Sequence, residues 1–186
     1  MADAPARPRL PPVSALDTVP ADAFARAIGP LFEGAPRFVG RLAAARPFGT
    51  FDRLFERATE IALTMPEADR IELIDAHPRL GAPPGSVSAL SFLEQGYGRD
   101  AAEAAAESDR VEVATELGRL NEAYESRFGF RYCTFVAGRS RRDLLPDFRA
   151  ALATDRRAEL ERAVRAVIAI ARDRRRKLAE AGEEMA

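Results

Sequence analysis

Apolar side chains recur at intervals of three and four along most of the chain, the spacing of one helix face, and prolines and glycines mark where each run stops. Phe24, Ala27, Ile28 and Leu31 make the first stripe, with Thr18 available as a cap and Gly29-Pro30 set to break it early. Pro36 suits the first turn of a second helix, which places Phe38, Leu42 and Ala45 on one side. Arg46-Pro47-Phe48-Gly49 reads as a turn, after which Thr50 caps a clearer third helix carrying Phe51, Leu54, Ala58, Ile61 and Met65 up to Pro66. A fourth helix begins near Glu67 and must stop at about His77, because Pro78 pushes the preceding residue out of the α region. Ser91, Glu94 and Gln95 belong to a fifth, ended by Gly96-Tyr97-Gly98, and Ala101 to Glu107 is helix-forming by propensity. Asp109 then caps a long helix with Val113, Leu117, Leu120 and Tyr124, finishing at Gly129. Ser140-x-x-Asp143 starts another, although Pro146 sits awkwardly deep in it. The last helix, from about Asp155 to Ala179, carries the most regular stripe: Leu160, Val164, Val167, Ala171 and Leu178.

One run alternates with period two. Phe130 to Val136 is rich in aromatic and β-branched residues but has no strand to pair with, so it reads as an extended segment laid across helices, its backbone groups bonded elsewhere. The expected fold is all-α: a single multi-helix bundle over residues 16–180 with one extended segment near 130–137. Five of the thirteen prolines fall in the first twenty residues, so residues 1–15 are expected to form a mobile arm.

Composition narrows the function. At 186 residues and 47% hydrophobic the chain can bury one sizeable core. The net charge of -1 offers no global field for nucleic acid or an anionic membrane. Cys133 and His77 are single copies, which leaves no intrachain disulfide and no Cys/His set for structural zinc. No run suits a membrane span, and the start of the chain carries acid and proline where a signal peptide needs an apolar stretch, so a cytoplasmic location is expected.

Candidate chemistry gathers between Ile71 and Gln95. His77 lies at a helix C-terminus, whose partial negative charge favours the imidazolium, so it can hold a proton near neutral pH and hand it over. Ser91, Glu94 and Gln95 share one helical face. The Gly81-Ala82-Pro83-Pro84-Gly85 loop between them reads as a rim or lid. Arg174 sits in the middle of the last helix's apolar stripe; a core-facing guanidinium either pairs with an internal carboxylate or waits for an anionic ligand. Blander readings stand beside these. His77 can be an ordinary helix-end residue, Ser91-x-x-Glu94 a capping box, and the whole chain a non-catalytic helical interaction module. A nucleic-acid binder using the Arg172 to Lys177 run is weaker, because those basic groups surround the helix.

With His77-Pro78, Ser91-x-x-Glu94-Gln95, Phe128-Gly129-Phe130 and the inward Arg174 in hand, the chain resembles the 2-oxo-4-hydroxy-4-carboxy-5-ureidoimidazoline decarboxylase family. The likeness extends through Phe32-Glu33-x-x-Pro36 and Ala45-Arg46-Pro47-Phe48, over about residues 16 to 179. It implies an all-α homodimer of urate degradation that works without metal or cofactor on a small molecule, releasing CO2 and giving (S)-allantoin; a related ureido or imidazoline compound is the alternative substrate. It also implies His77 and Glu94 as catalytic residues, and Pro78, Ser91, Gln95 and the carboxylate-gripping Arg174 as substrate-binding ones. The segment Phe130 to Gly138 would add backbone contacts through Tyr132, Thr134 and Val136. Arg131 stands where the family usually has proline, and Asp173 and Arg175 replace apolar neighbours of the arginine.

Overall fold

Where the three-and-four spacing is strong, a helix forms. The computed structural model describes residues 10–95 and 107–183, so the Gly96-Tyr97-Gly98 stop and most of the Ala101 to Glu107 run lie outside the described residues. The helices are α1 (Val13–Leu16), α2 (Ala21–Ile28), α3 (Pro36–Ala44), α4 (Phe51–Thr64) and α5 (Glu67–Asp75), followed by α6 (Ala89–Glu94), α7 (Glu107–Phe128), α8 (Arg141–Ala151) and α9 (Arg156–Glu183). Gly29–Phe32 continues α2 as a tighter 3-10 turn, and Pro84–Ser86 forms another. The fold is all-α, with no strand among the described residues.

α9 is the central post, packed against α4, α5 and the Gly29–Phe32 turn. Its Leu160, Val164, Val167 and Ala171 are wholly or almost wholly buried, each large side chain contributing about 1.5–3 kcal/mol by leaving water. α2 and α3 pack on each other and on the Gly29–Phe32 turn, α3 also packs on α4 and α5, and α7 pairs with α8. The chain from Phe130 to Val136 crosses between them as an irregular extended segment. Tyr124 of α7 holds it through edge contacts with Phe130 and Tyr132, and the Tyr132 ring stacks on Phe148 of α8 at 3.7 Å. Its polar groups find partners outside any sheet: the Arg131 N–H donates to Asp75 at 2.8 Å, and Arg162 donates to the Cys133 carbonyl at 3.0 Å.

Local signals and structure agree in several places. Pro36 opens α3, Thr50 caps α4 by accepting from the Arg53 N–H, and Ser140 with Asp143 forms a full capping box on α8. Pro146 is tolerated inside α8 at an exposed position, and Arg142, the residue whose carbonyl it leaves without a helical donor, is exposed too. Other expectations need correction. Thr18 caps nothing; its hydroxyl bonds back to the Ser14 and Ala15 carbonyls, and α2 starts after Pro20. Asp109 lies inside the first turn of α7 and reaches Arg142. Of the arm expected over 1–15, residues 10–15 are described, with Leu10 and Val13 against the core, and Leu16 just beyond is buried. Two clamps hold that start: Arg46 donates to the Leu16 and Val19 carbonyls, and Asp17 accepts from the Phe48 and Gly49 N–H groups.

Candidate active site

α5 delivers the imidazole. The helix ends at Asp75, and the His77 N–H still reaches the Ile74 carbonyl, so the side chain is fixed one step past the last turn. Its Nδ1 lies 3.2 Å from the Leu73 carbonyl, which makes Nδ1 the protonated nitrogen and leaves Nε2 with a lone pair. Nε2 is buried and has no hydrogen-bond partner. The expectation of an imidazolium is overturned. Burial, reinforced by the positive charge of Arg174, pushes the His77 pKa down to about 4, although Glu33 and the Leu73 carbonyl pull the other way. The helix-end effect is present, but desolvation outweighs it.

α6 delivers the second set. Ser88 caps this helix through the Ser91 N–H, so Ser91 and Glu94 are not a capping box and their side chains are released for other work. Ser91 is buried and donates its hydroxyl to Glu33 at 2.7 Å. Gln95 accepts from the Gly81 N–H at 2.8 Å and donates to the Arg79 carbonyl at 3.2 Å, pinning the turn that follows His77-Pro78. Asn121 of α7 holds the same turn by donating to the Leu80 carbonyl. Gly81 is required there: its φ is +80°, and a Cβ would lie 2.8 Å from Leu117 Cδ1.

Arg174 crosses behind both sets. Its Nε and one terminal nitrogen grip Glu94 at 2.7 and 2.8 Å; that same nitrogen reaches Glu33 at 2.7 Å and the Ser91 hydroxyl at 3.0 Å. The remaining nitrogen donates to the Pro30 carbonyl at 2.8 Å and, at 3.5 Å, to that of Leu31. Of the two readings left open, internal pairing is the one observed. The grip on a substrate carboxylate expected of Arg174 therefore finds no uncommitted N–H, and the side chain, 1% exposed, does not border the cavity. Burial pushes the Glu94 carboxyl above its usual range against the pull of Arg174 and Lys177. At Glu33 burial acts in the same upward direction but is outweighed by Arg174 and the Ser91 and Ser88 hydroxyls, which hold that carboxyl low.

The first two sets meet at one half-open cleft. His77, Pro78, Ser91, Glu94 and Gln95 form one side of it. Tyr132, Thr134 and Val136 form the other, together with the residues between and after them. The Tyr132 ring is committed to the core, and no backbone N–H from Tyr132 to Val136 bonds to another described residue. Two residues to which the sequence expectations assign no role at the small-molecule site matter here. Glu33, in a left-handed conformation (φ 50°) after the 3-10 turn, binds Ser88, Ser91 and Arg174 with one oxygen. Lys177, one turn beyond Arg174, reaches the cleft. Among the described residues, no group of three or more His, Cys, Asp or Glu is placed to hold a metal ion.

Among the described residues, an all-helical body sets a neutral imidazole and a carboxylate on one small cleft. The comparisons make the class specific. The family described as OHCU decarboxylase matches residues 17–176. The chain is 32% identical over 147 residues to the uric acid degradation bifunctional protein PucL of Bacillus subtilis (strain 168), covering 79% of this chain and 28% of that one. It is 32% identical over 143 residues to the 2-oxo-4-hydroxy-4-carboxy-5-ureidoimidazoline decarboxylase of Haloferax volcanii, covering 74% of each. A crystal structure of OHCU decarboxylase in the presence of (S)-allantoin superposes with a TM-score of 0.59 at 23% identity, over 78% of this chain and 92% of that one. A second, of (S)-allantoin synthase, gives 0.62 at 17% identity, over 90% and 54%. Both structural likenesses concern the fold. This chain belongs to the OHCU decarboxylase family. It spans about a third or less of the two Bacillus proteins it matches, 28% of one and 32% of the other.

Proposed function

We propose that the protein decarboxylates 2-oxo-4-hydroxy-4-carboxy-5-ureidoimidazoline to (S)-allantoin in urate degradation, acting as a carboxy-lyase. The observation that carries this reading is the unpartnered Nε2 of a neutral, buried His77 on the same cleft as Glu94. In the reaction the bond between the hydroxyl-bearing ring carbon and the carboxylate breaks. Its electron pair forms a ring C=C with the neighbouring imine carbon as the imine nitrogen takes up charge, and CO2 departs. Loss of the hydroxyl proton, protonation of the former imine carbon and uptake of one proton from solvent by the charged ring nitrogen then give the carbonyl, the stereocentre and the ring N–H of the product.

His77 Nε2 is the base for the hydroxyl proton, already neutral at pH 7 and fixed in its tautomer by Leu73. Glu94, held by Arg174, orients the hydroxyl side. The open N–H groups of Tyr132 to Val136 hold carbonyl or ureido oxygens, and Ser91 and Gln95 fix the wall the ring rests on. Arg174 acts from behind, by aligning Glu94 and keeping His77 uncharged. The test is to generate the unstable ureidoimidazoline with uricase and hydroxyisourate hydrolase and to follow optical rotation. Rapid appearance of (S)-allantoin is expected, with near-complete loss of that acceleration in His77→Ala while the fold persists; an equally active variant removes the base.

The family likeness adds a homodimer and a cytoplasmic location to this proposal, checked by sedimentation of the 20.3 kDa chain at twice that mass and by cell fractionation. No described helix is long and apolar enough to cross a membrane.

A further inference from the structure

The site as described lacks a seat for an anion. Arg174 is walled off behind Ser91 and Glu94, every nitrogen of its guanidinium engaged. Among the described residues that line the cleft, Lys177 is the one cation, facing the two acids Glu94 and Asp173. Glu94 has its charge balanced from behind by Arg174. Asp173 is bound by two cations, Lys177 at 2.6 Å and Arg176 at 2.6 Å. The ammonium of Lys177 thus has a rim position, a side chain 46% exposed, and an acid partner that keeps a second cation when Lys177 turns elsewhere.

We propose that Lys177 is the residue that receives the carboxylate of an anionic substrate at the cleft, with Asp173 as its resting tether. The proposal rests on the decarboxylase reading for the identity of the substrate and on geometry for the rest. Lysine chemistry fits such a seat. Three N–H donors on a flexible stem can follow a carboxylate, keep one donor on Asp173, and release the group when it leaves as uncharged CO2. Arg176 shares the Asp173 carboxylate, so the tether is not left as an uncompensated buried charge when Lys177 turns toward the ligand. Position matters as well as charge. Residues 173, 174 and 177 fall on neighbouring turns of α9, so the helix that holds Glu94 through Arg174 also sets the distance from Glu94 to the ammonium. Discrimination follows directly, because a neutral ring meets no such seat and gains nothing from it.

The experiment uses the full chain and the variants Lys177→Gln and Lys177→Arg. Each is assayed by optical rotation on the enzymatically generated ureidoimidazoline and titrated calorimetrically with hydantoin-5-acetate and, separately, its neutral amide. Expected results for Lys177→Gln are a KM raised by about tenfold or more with a much smaller change in kcat, and weaker binding of the acetate while the amide is unaffected. Lys177→Arg restores most of the acetate affinity. Unchanged KM and acetate affinity in Lys177→Gln overturn the proposal, as does an equal loss for acetate and amide, which marks a merely structural role. Should the wild type not accelerate (S)-allantoin formation yet prefer acetate over amide through Lys177, the anion seat stands and the decarboxylase reading falls.

Discussion

His77 is where a local argument and a global one collide. Its place at the end of α5 argues for a charged ring, yet the fold buries it to 4% exposure and sets a guanidinium nearby. The neutral form wins, and stability acquires a pH dependence of known sign. A ring whose pKa falls from 6.5 unfolded to about 4 folded binds protons more readily in the unfolded chain, so its contribution is complete above pH 6.5 and is lost as pH drops toward 4. The loss amounts to about 3 kcal/mol at pH 4. Urea unfolding of the wild type and His77→Asn across pH 4 to 7 checks this: the variant's curve is flatter, and parallel curves contradict the burial. The acid limb of kcat/KM is expected well below 6.5 for the same reason.

At the scale of the helix, α5 depends on a residue outside it. The Arg131 guanidinium donates to the Asp75 carbonyl at 2.6 Å and to the His77 carbonyl at 3.0 Å, while its N–H bonds the Asp75 side chain. A proline at 131 would have no N–H to offer Asp75. Here the extended segment and the turn that carries His77 are tied together by one side chain. Arg131→Ala is expected to lose about 1–2 kcal/mol of stability and at least tenfold in kcat, read by denaturant titration and the rotation assay. Full activity in that variant would mean that His77 is held without it. This link also marks the limit of what the sequence discloses. Helices with a strong stripe, such as α4 and α9, and caps with a clear motif, such as Ser140, are legible because local spacing and packing agree. Thr18 and Asp109 mislead because each carries a cap residue's chemistry while the helix start is decided elsewhere. Ser88 hides behind Ser91 because both have three-residue offsets to a polar group, and only the tertiary partner of Ser91 tells them apart.

For the molecule as a whole, the cluster around Arg174 is the decisive feature. His77, Ser91, Glu94 and Gln95 are legible as a set because they lie within nineteen residues of each other on two adjacent helices. Glu33 is not, since its partner is 141 positions away and nothing in Phe32-Glu33 advertises a buried ion pair. The basic run of α9 likewise gains its meaning from contacts: Arg172 covers Phe55, Arg175 covers Phe51, and Arg176 and Lys177 are paired to Asp173. That leaves little of the run for a polyanion. Arg174→Met is expected to destabilise the fold by roughly 3–5 kcal/mol, because two acids are stranded in a poorly hydrated place. In any folded fraction the His77 pKa moves upward, seen as a shift of the acid limb. Thermal and denaturant scans with normal midpoints would show that the acids find water when the guanidinium is gone.

The same guanidinium joins carbonyls at positions 30 and 31 to carboxylates at 33 and 94, from a helix made after all of them. During synthesis, everything on the two facing walls of the cleft leaves the ribosome before the residue that fixes it in place. A nascent chain halted ahead of position 174 would thus carry the imidazole, the acid and the turn, yet have no assembled cleft, and the cleft would form in one step when α9 docks.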